Sequence, residues 1–264
     1  MRQKIVSLAL YSVAGLIGLV ALAYPFLIAS LASTDAGEGS LLSSATPLLT
    51  TLLISLCLAV LLVELQGQAA GAKTVATLGI LVAATATLRF IEVGIPGPAG
   101  FSPIFAPIIL GGYVFGARFG FLMGAMTMLV SAFMTAGVGP WLPYQMFTAG
   151  WIGLTAGWMP HLKSARGEII LLLSFSLVWG FVYGGIMNLY TWPYLAGDQT
   201  TSWSAGIGLG DTIRRYFAFY ITTSLIWDSA AAIGNVIMMA ALGLPTVRAL
   251  TRFQGRMQYQ VRQP

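Results

Sequence analysis

Long apolar runs alternate with short polar stretches along almost the whole chain. The runs fall at about residues 5–32, 46–65, 74–93, 103–116, 119–136, 144–160, 169–190 and 217–243. All but the fourth approach the roughly 20 residues that a helix needs to cross the hydrocarbon core. Backbone polar groups inside a bilayer must be satisfied within the segment itself, so each run is expected to be a helix. The pattern predicts an all-α integral membrane protein of eight spans. The first run is longer than a signal-peptide core and lacks a clean small-residue cleavage site, so it reads as a retained span. The polar stretches at 33–45 and 66–73 are plain Ser/Gly/Ala-rich connections. They divide the chain into an accessory pair of helices at 1–65, a six-helix core at 74–245 and a basic tail at 246–264.

Composition agrees with this reading. Of the 264 residues, 57% are hydrophobic and only 8% charged, where a soluble domain carries about 25% charged residues. The net charge of +5 therefore reports orientation rather than affinity for nucleic acid. With the N-terminus inside, ten of the thirteen basic residues fall in cytoplasmic segments: Arg2, Lys4, Lys73, Arg118, Lys163, Arg166, Arg248, Arg252, Arg256 and Arg262. Asp35, Glu38, Asp198 and Asp211 fall in the outer loops. An even number of spans then puts both termini in the cytoplasm. The single Cys57 lies within an apolar run, which excludes a disulfide framework and a cysteine metal site. The single His161, next to Pro160, reads as a solvated loop residue.

The outer segments are elaborate and the inner turns minimal, which points to recognition at the outer face. The turn Gly137–Met146 is stiffened by Pro140 and Pro143 and carries Trp141, Tyr144 and Gln145. Its rings suit a water–lipid boundary, and the same residues suit the mouth of a binding site. The segment 191–216 adds Trp192 and Trp203. Tyr183, Asn188 and Tyr190 lie on the seventh span, with Trp179, Tyr183 and Tyr190 at helical spacing. Tyr216, Tyr220 and Trp227 are spaced likewise on the eighth. Aromatic stripes of this kind serve either packing or an apolar pocket.

Ionisable residues within spans are functional candidates. Arg89 and Glu92 lie three apart on one face near the outer end of the third span. They pair with each other or serve a ligand. Asp228 is placed about halfway down the eighth span, above Asn235 on the same face, with Arg89 as the available intramembrane cation. Small residues recur every four positions at Gly112, Gly116, Gly120 and Gly124, at Ala149, Gly153 and Gly157, and at Gly180 and Gly184. Such faces allow helix backbones to approach closely.

Residues Pro103–Gly120, reading Pro-Ile-Phe-Ala-Pro-Ile-Ile-Leu-Gly-Gly-Tyr-Val-Phe-Gly-Ala-Arg-Phe-Gly, resemble the second and third core helices of substrate-binding S-components of energy-coupling factor (ECF) vitamin importers. Gly139–Met146, with Gly150, Gly153 and Gly157, resembles the cobalamin-type branch. The resemblance covers about 74–245, and the two preceding helices depart from the six-helix plan. It implies a cell-membrane subunit that captures a vitamin, cobalamin or a related corrinoid, at its outer face. Such a subunit docks on a transmembrane coupling subunit driven by a pair of ATPases. It also implies a small-residue docking motif on core helix one, matched by Ala72 and Ala76 and more loosely by Gly79 and Ala83. No Walker motif occurs, so ATP hydrolysis is assigned to partners. No cofactor and no metal are implied. Two other readings stay open: an intramembrane enzyme using Asp228, and a stand-alone secondary transporter. The first lacks a nucleophile–base signature and the second an internal repeat.

Overall fold

The computed structural model describes residues 15–20, 22, 23, 26, 51, 55, 72–95, 102–195, 198, 200–204 and 206–257. The expected boundaries of the first two spans and the placement of the termini lie outside the described residues. Among the described residues there is no strand. The chain forms α1 (Ala72–Gly94), α2 (Phe105–Phe115), α3 (Ala117–Met134), α4 (Leu142–Ala156), α5 (Ala165–Thr191), a 3-10 turn (Trp192–Tyr194), α6 (Leu209–Thr223) and α7 (Leu225–Met257).

The turns follow from local chemistry. Gly116 joins α2 to α3 at φ 96°, a left-handed conformation that favours glycine. The same glycine closes α2 through its N–H, which donates to the Gly112 carbonyl at 2.8 Å. The chain leaves α3 through Ala136 at φ 52°, and the Gly137 N–H reaches back to the Ala132 carbonyl at 2.8 Å. Pro143 occupies the first turn of α4, where its missing N–H costs nothing.

The predicted span 217–243 is not one helix. Residues 209–216, read from sequence as loop, begin α6, and α6 ends at Thr223. A run of hydroxyl side chains marks the end of α6. Thr222 Oγ1 donates to the Ala218 carbonyl at 2.9 Å, and Thr223 Oγ1 to the Phe219 carbonyl at 2.7 Å. Side-chain bonds of this type compete with the backbone ladder and bend helices. Ser224 then leaves helical geometry at φ −129°, and its hydroxyl donates to Asn188 Oδ1 at 2.9 Å. Beyond the break, α7 runs for 33 residues, about 50 Å at the ideal rise, which exceeds the roughly 30 Å hydrocarbon core. Helix therefore continues past 243, where the apolar run ends, through Arg248, Arg252 and Arg256.

The described residues belong to two compact units. The first contains residues 138–147 and 184–226 with the described parts of 1–69. The second contains 70–137, 148–183 and 227–264.

Glycines organise the second unit. A Cβ built on Gly112 or Gly120 would overlap the backbone of Gly153, and one on Gly124 would overlap the backbone of Ala149. A Cβ on Gly157 would overlap the Ala117 backbone. Backbones of α2, α3 and α4 thus meet directly, which only residues without side chains permit. Ile108, Ile109, Met123, Met128 and Ile152 are fully buried around this seam. Elsewhere in the unit, Gly180 of α5 lies against Ala232 of α7. Tyr113 donates to Glu168 Oε1 at 2.9 Å and stacks on the exposed His161 with ring centroids 4.4 Å apart. These contacts pin the α4–α5 loop to α2.

Candidate functional site

In the first unit, the aromatic residues of the predicted site converge. Trp192 is only 1% exposed, and its indole N–H donates to the Thr201 carbonyl at 2.7 Å. Its ring meets Tyr216 at 5.2 Å and Phe219 at 6.3 Å between centroids. Phe26 lies edge-on to Trp192 at 6.0 Å and to Trp203 at 5.6 Å. The Tyr216 hydroxyl donates to the Gly185 carbonyl, and Tyr220 stacks on Tyr216 at 6.5 Å. Arg215 donates to the Ser202 carbonyl at 3.2 Å. The segment after α5 is therefore folded back on α6 by one buried tryptophan and a cationic tie.

Tyr144 is buried and stacks on Tyr190 with centroids 4.2 Å apart. Trp141 is 43% exposed, and its indole closes over Gly139, where a Cβ would meet the ring. Gln145 is half-buried one turn further on. Asn188 accepts the Ser224 hydroxyl, so its side chain holds the α6–α7 break. The residues divide by accessibility: Trp192 and Tyr144 are held by packing, whereas Trp141, Gln145, Tyr190 and Trp203 keep exposed surface.

The polar candidates of the second unit are a separate group. Glu92 accepts a hydrogen bond from Ser102 at 2.6 Å, and Arg89 lies within electrostatic range of Glu92 and of Tyr183. Tyr183 packs on Phe105 at 4.7 Å. Asp228 is not halfway down a span. It stands in the first turn of α7, where the helix N-terminus favours a carboxylate. Asn235, two turns below, is 1% exposed, and neither of its amide atoms has a hydrogen-bond partner among the described residues. Tyr216, Tyr220 and Trp227 do not form one stripe, because the break at Ser224 puts Trp227 on α7, where it is 58% exposed.

On α1 the small residues face outward. Ala76, Gly79 and Ala83 are exposed, while Thr77, Leu78, Val82, Thr85 and Ala86 are buried. Apart from its chain neighbours and the helix's own backbone, no described atom lies within 4 Å of a Cβ built on Gly79. Ala72 is the first residue of the helix.

Sequence reasoning missed Ser102, Phe105, Phe26 and Ser224. Ser102 and Phe105 flank the Pro103 turn that brings α2 back beside the end of α1. Phe26 carries no local signal, because its partners lie more than 160 residues away in the chain.

The helices at Lys73–Gly94, Ala117–Met134, Ala165–Thr191 and Leu225–Arg256 are long and apolar enough to cross a bilayer, and Phe105–Phe115 is a shorter apolar helix. They define an all-α membrane protein. The family model for the ECF transporter substrate-specific component matches residues 73–243, and the chain belongs to that family. It is accordingly a substrate-specific membrane subunit of a transporter, from a family of transport components rather than enzymes. No curated protein and no solved structure matches the chain.

Proposed function

We propose that this subunit captures a vitamin at the outer face of the cell membrane and delivers it to a transmembrane coupling subunit powered by a pair of ATPases. The ligand proposed is cobalamin or a related corrinoid. The observation that carries the reading is the accessible aromatic set of the first unit. Trp141, Gln145, Tyr190 and Trp203 keep exposed surface beside a loop held rigid by Trp192. Flat aromatic surfaces with a few placed amides suit a large planar ligand. The distribution of basic residues supports an outer position for this region and a cytoplasmic one for the start of α1. On α1, the exposed face of Ala76, Gly79 and Ala83 (with Ala72 at the helix start) supports the docking of a partner helix.

The test is mass spectrometry of small molecules retained by the full-length protein after purification in detergent, followed by reconstitution with coupling and ATPase subunits. A corrinoid recovered near one per protein, and ATP-dependent uptake of it, are the expected results. Recovery of a different vitamin would replace the ligand but keep the transport reading. ATP-independent uptake by the subunit alone would overturn the energised mechanism.

A further inference from the structure

A groove of about 410 Å³ opens within the second unit, between the start of α1 and the end of α7. Its lining is Lys73, Ala76, Thr77 and Ile80 from α1, with Phe253 and Arg256 from α7. Both walls carry the same gradient. Along α1 the cation Lys73 comes first, and the surface turns apolar toward Ile80. Along α7, taken from its C-terminal end, Arg256 comes first and the apolar Phe253 follows. Lys73, Ile80, Phe253 and Arg256 are all exposed, and no carboxylate lines the groove among the described residues. Lys73 is also the first residue of a helix long and apolar enough to cross a bilayer, and Arg256 is the last residue of another, so both cations stand at the ends of such stretches. Gln254, next to Phe253, donates to the Val114 carbonyl at 3.0 Å, which fixes the α7 wall against α2. The groove is therefore built rather than formed by two loose side chains.

We infer that this groove binds one anionic phospholipid, with its phosphate between Lys73 and Arg256 and the start of its acyl chains along Ile80 and Phe253. Two cations without a carboxylate call for an anion, and the charged-to-apolar gradient over two turns of helix matches a molecule with an anionic head and an apolar tail. Ala76 also belongs to the α1 face proposed to dock a partner helix, so the lipid occupies the groove in the undocked subunit and docking there displaces it. Basic residues just cytoplasmic of a span each add appreciably to the attraction of an acidic lipid. The inference does not depend on the identity of the transported ligand.

The experiment uses the full-length protein, delipidated in neutral detergent and titrated with phosphatidylglycerol, with phosphatidylcholine of the same chains, and with inorganic phosphate. Bound species are counted by native mass spectrometry. One phosphatidylglycerol should saturate well before phosphatidylcholine, and inorganic phosphate should not compete at equal concentration. The double change Lys73→Gln with Arg256→Gln should weaken phosphatidylglycerol binding about thirty-fold. Lys73→Arg with Arg256→Lys should retain it. Ala76→Phe keeps both charges but fills the groove, and should also release the lipid, which decides the matter if the double variant fails to fold. Equal binding of the two lipids, an unaltered affinity in the Gln variant, or full retention by Ala76→Phe would each overturn the inference. So would competition by phosphate alone, which would indicate an anion site without a lipid. A Gln variant that binds lipid normally but no longer assembles with its coupling subunit would make the groove a protein interface instead.

Discussion

Arg89 and Asp228 are both charged residues of the second unit, Arg89 near the end of α1 and Asp228 in the first turn of α7. Arg89 has Glu92 and Tyr183 as its electrostatic neighbours. In a double-mutant cycle read by thermal unfolding, Arg89→Gln and Asp228→Asn should add within about 0.5 kcal/mol. Arg89→Gln and Glu92→Gln should not add. Asn235 poses a different case, a buried amide whose two polar atoms have no hydrogen-bond partner among the described residues. Each such atom costs about 1–3 kcal/mol of desolvation. Asn235→Leu should therefore raise the unfolding temperature of the ligand-free protein, and a fall would mean that the amide has a structural partner. The two tryptophans of the first unit should separate cleanly. Trp192→Ala removes a fully buried anchor and should destabilise by about 3–5 kcal/mol. Trp141→Ala leaves the fold intact and should weaken ligand binding by about 2 kcal/mol, roughly thirty-fold in Kd.

At the scale of helices, one spacing serves two purposes. Small residues recur at four-residue intervals on α2–α4 and on α1, but the first set is buried backbone against backbone and the second faces outward. The spacing alone does not distinguish them. What does is the rest of α1, where Thr77, Leu78, Val82, Thr85 and Ala86 already occupy the inward face. Gly79→Leu adds bulk where no described atom lies near, so the isolated subunit should fold and bind ligand normally. ATP-dependent uptake in the reconstituted complex should be lost. Retained uptake would remove α1 from the docking surface.

Across the whole molecule, five of the six spans expected for the core, from 74 to 190, each correspond to one helix, because bilayer length and hydropathy are properties of contiguous segments. The sixth was misread for a reason hydropathy does not register. Thr222, Thr223 and Ser224 sit in an apolar run, where Thr222 and Thr223 bond carbonyls one turn back and Ser224 bonds Asn188. That one break moved Asp228 from mid-span to a helix start and separated Trp227 from Tyr216 and Tyr220. The aromatic cluster was legible as composition but not as roles. Nothing local shows that Trp192 would be buried and Trp141 open, since burial depends on Phe26, Tyr216 and Phe219 arriving from distant segments.

The glycine seam has a mechanical consequence. Water does not press helices together inside a bilayer, so the cohesion of α2, α3 and α4 comes from contact between backbones. Such attraction decays steeply once atoms separate by even an ångström. These three helices cannot loosen by degrees, and they should part all at once or not at all. As sodium dodecyl sulfate is titrated into the native protein, the block containing Gly112, Gly120, Gly124 and Gly153 should come apart in a single steep step. Gly153→Ala, whose new methyl would overlap the Gly120 carbonyl, should move that step to a lower detergent concentration and make it less steep.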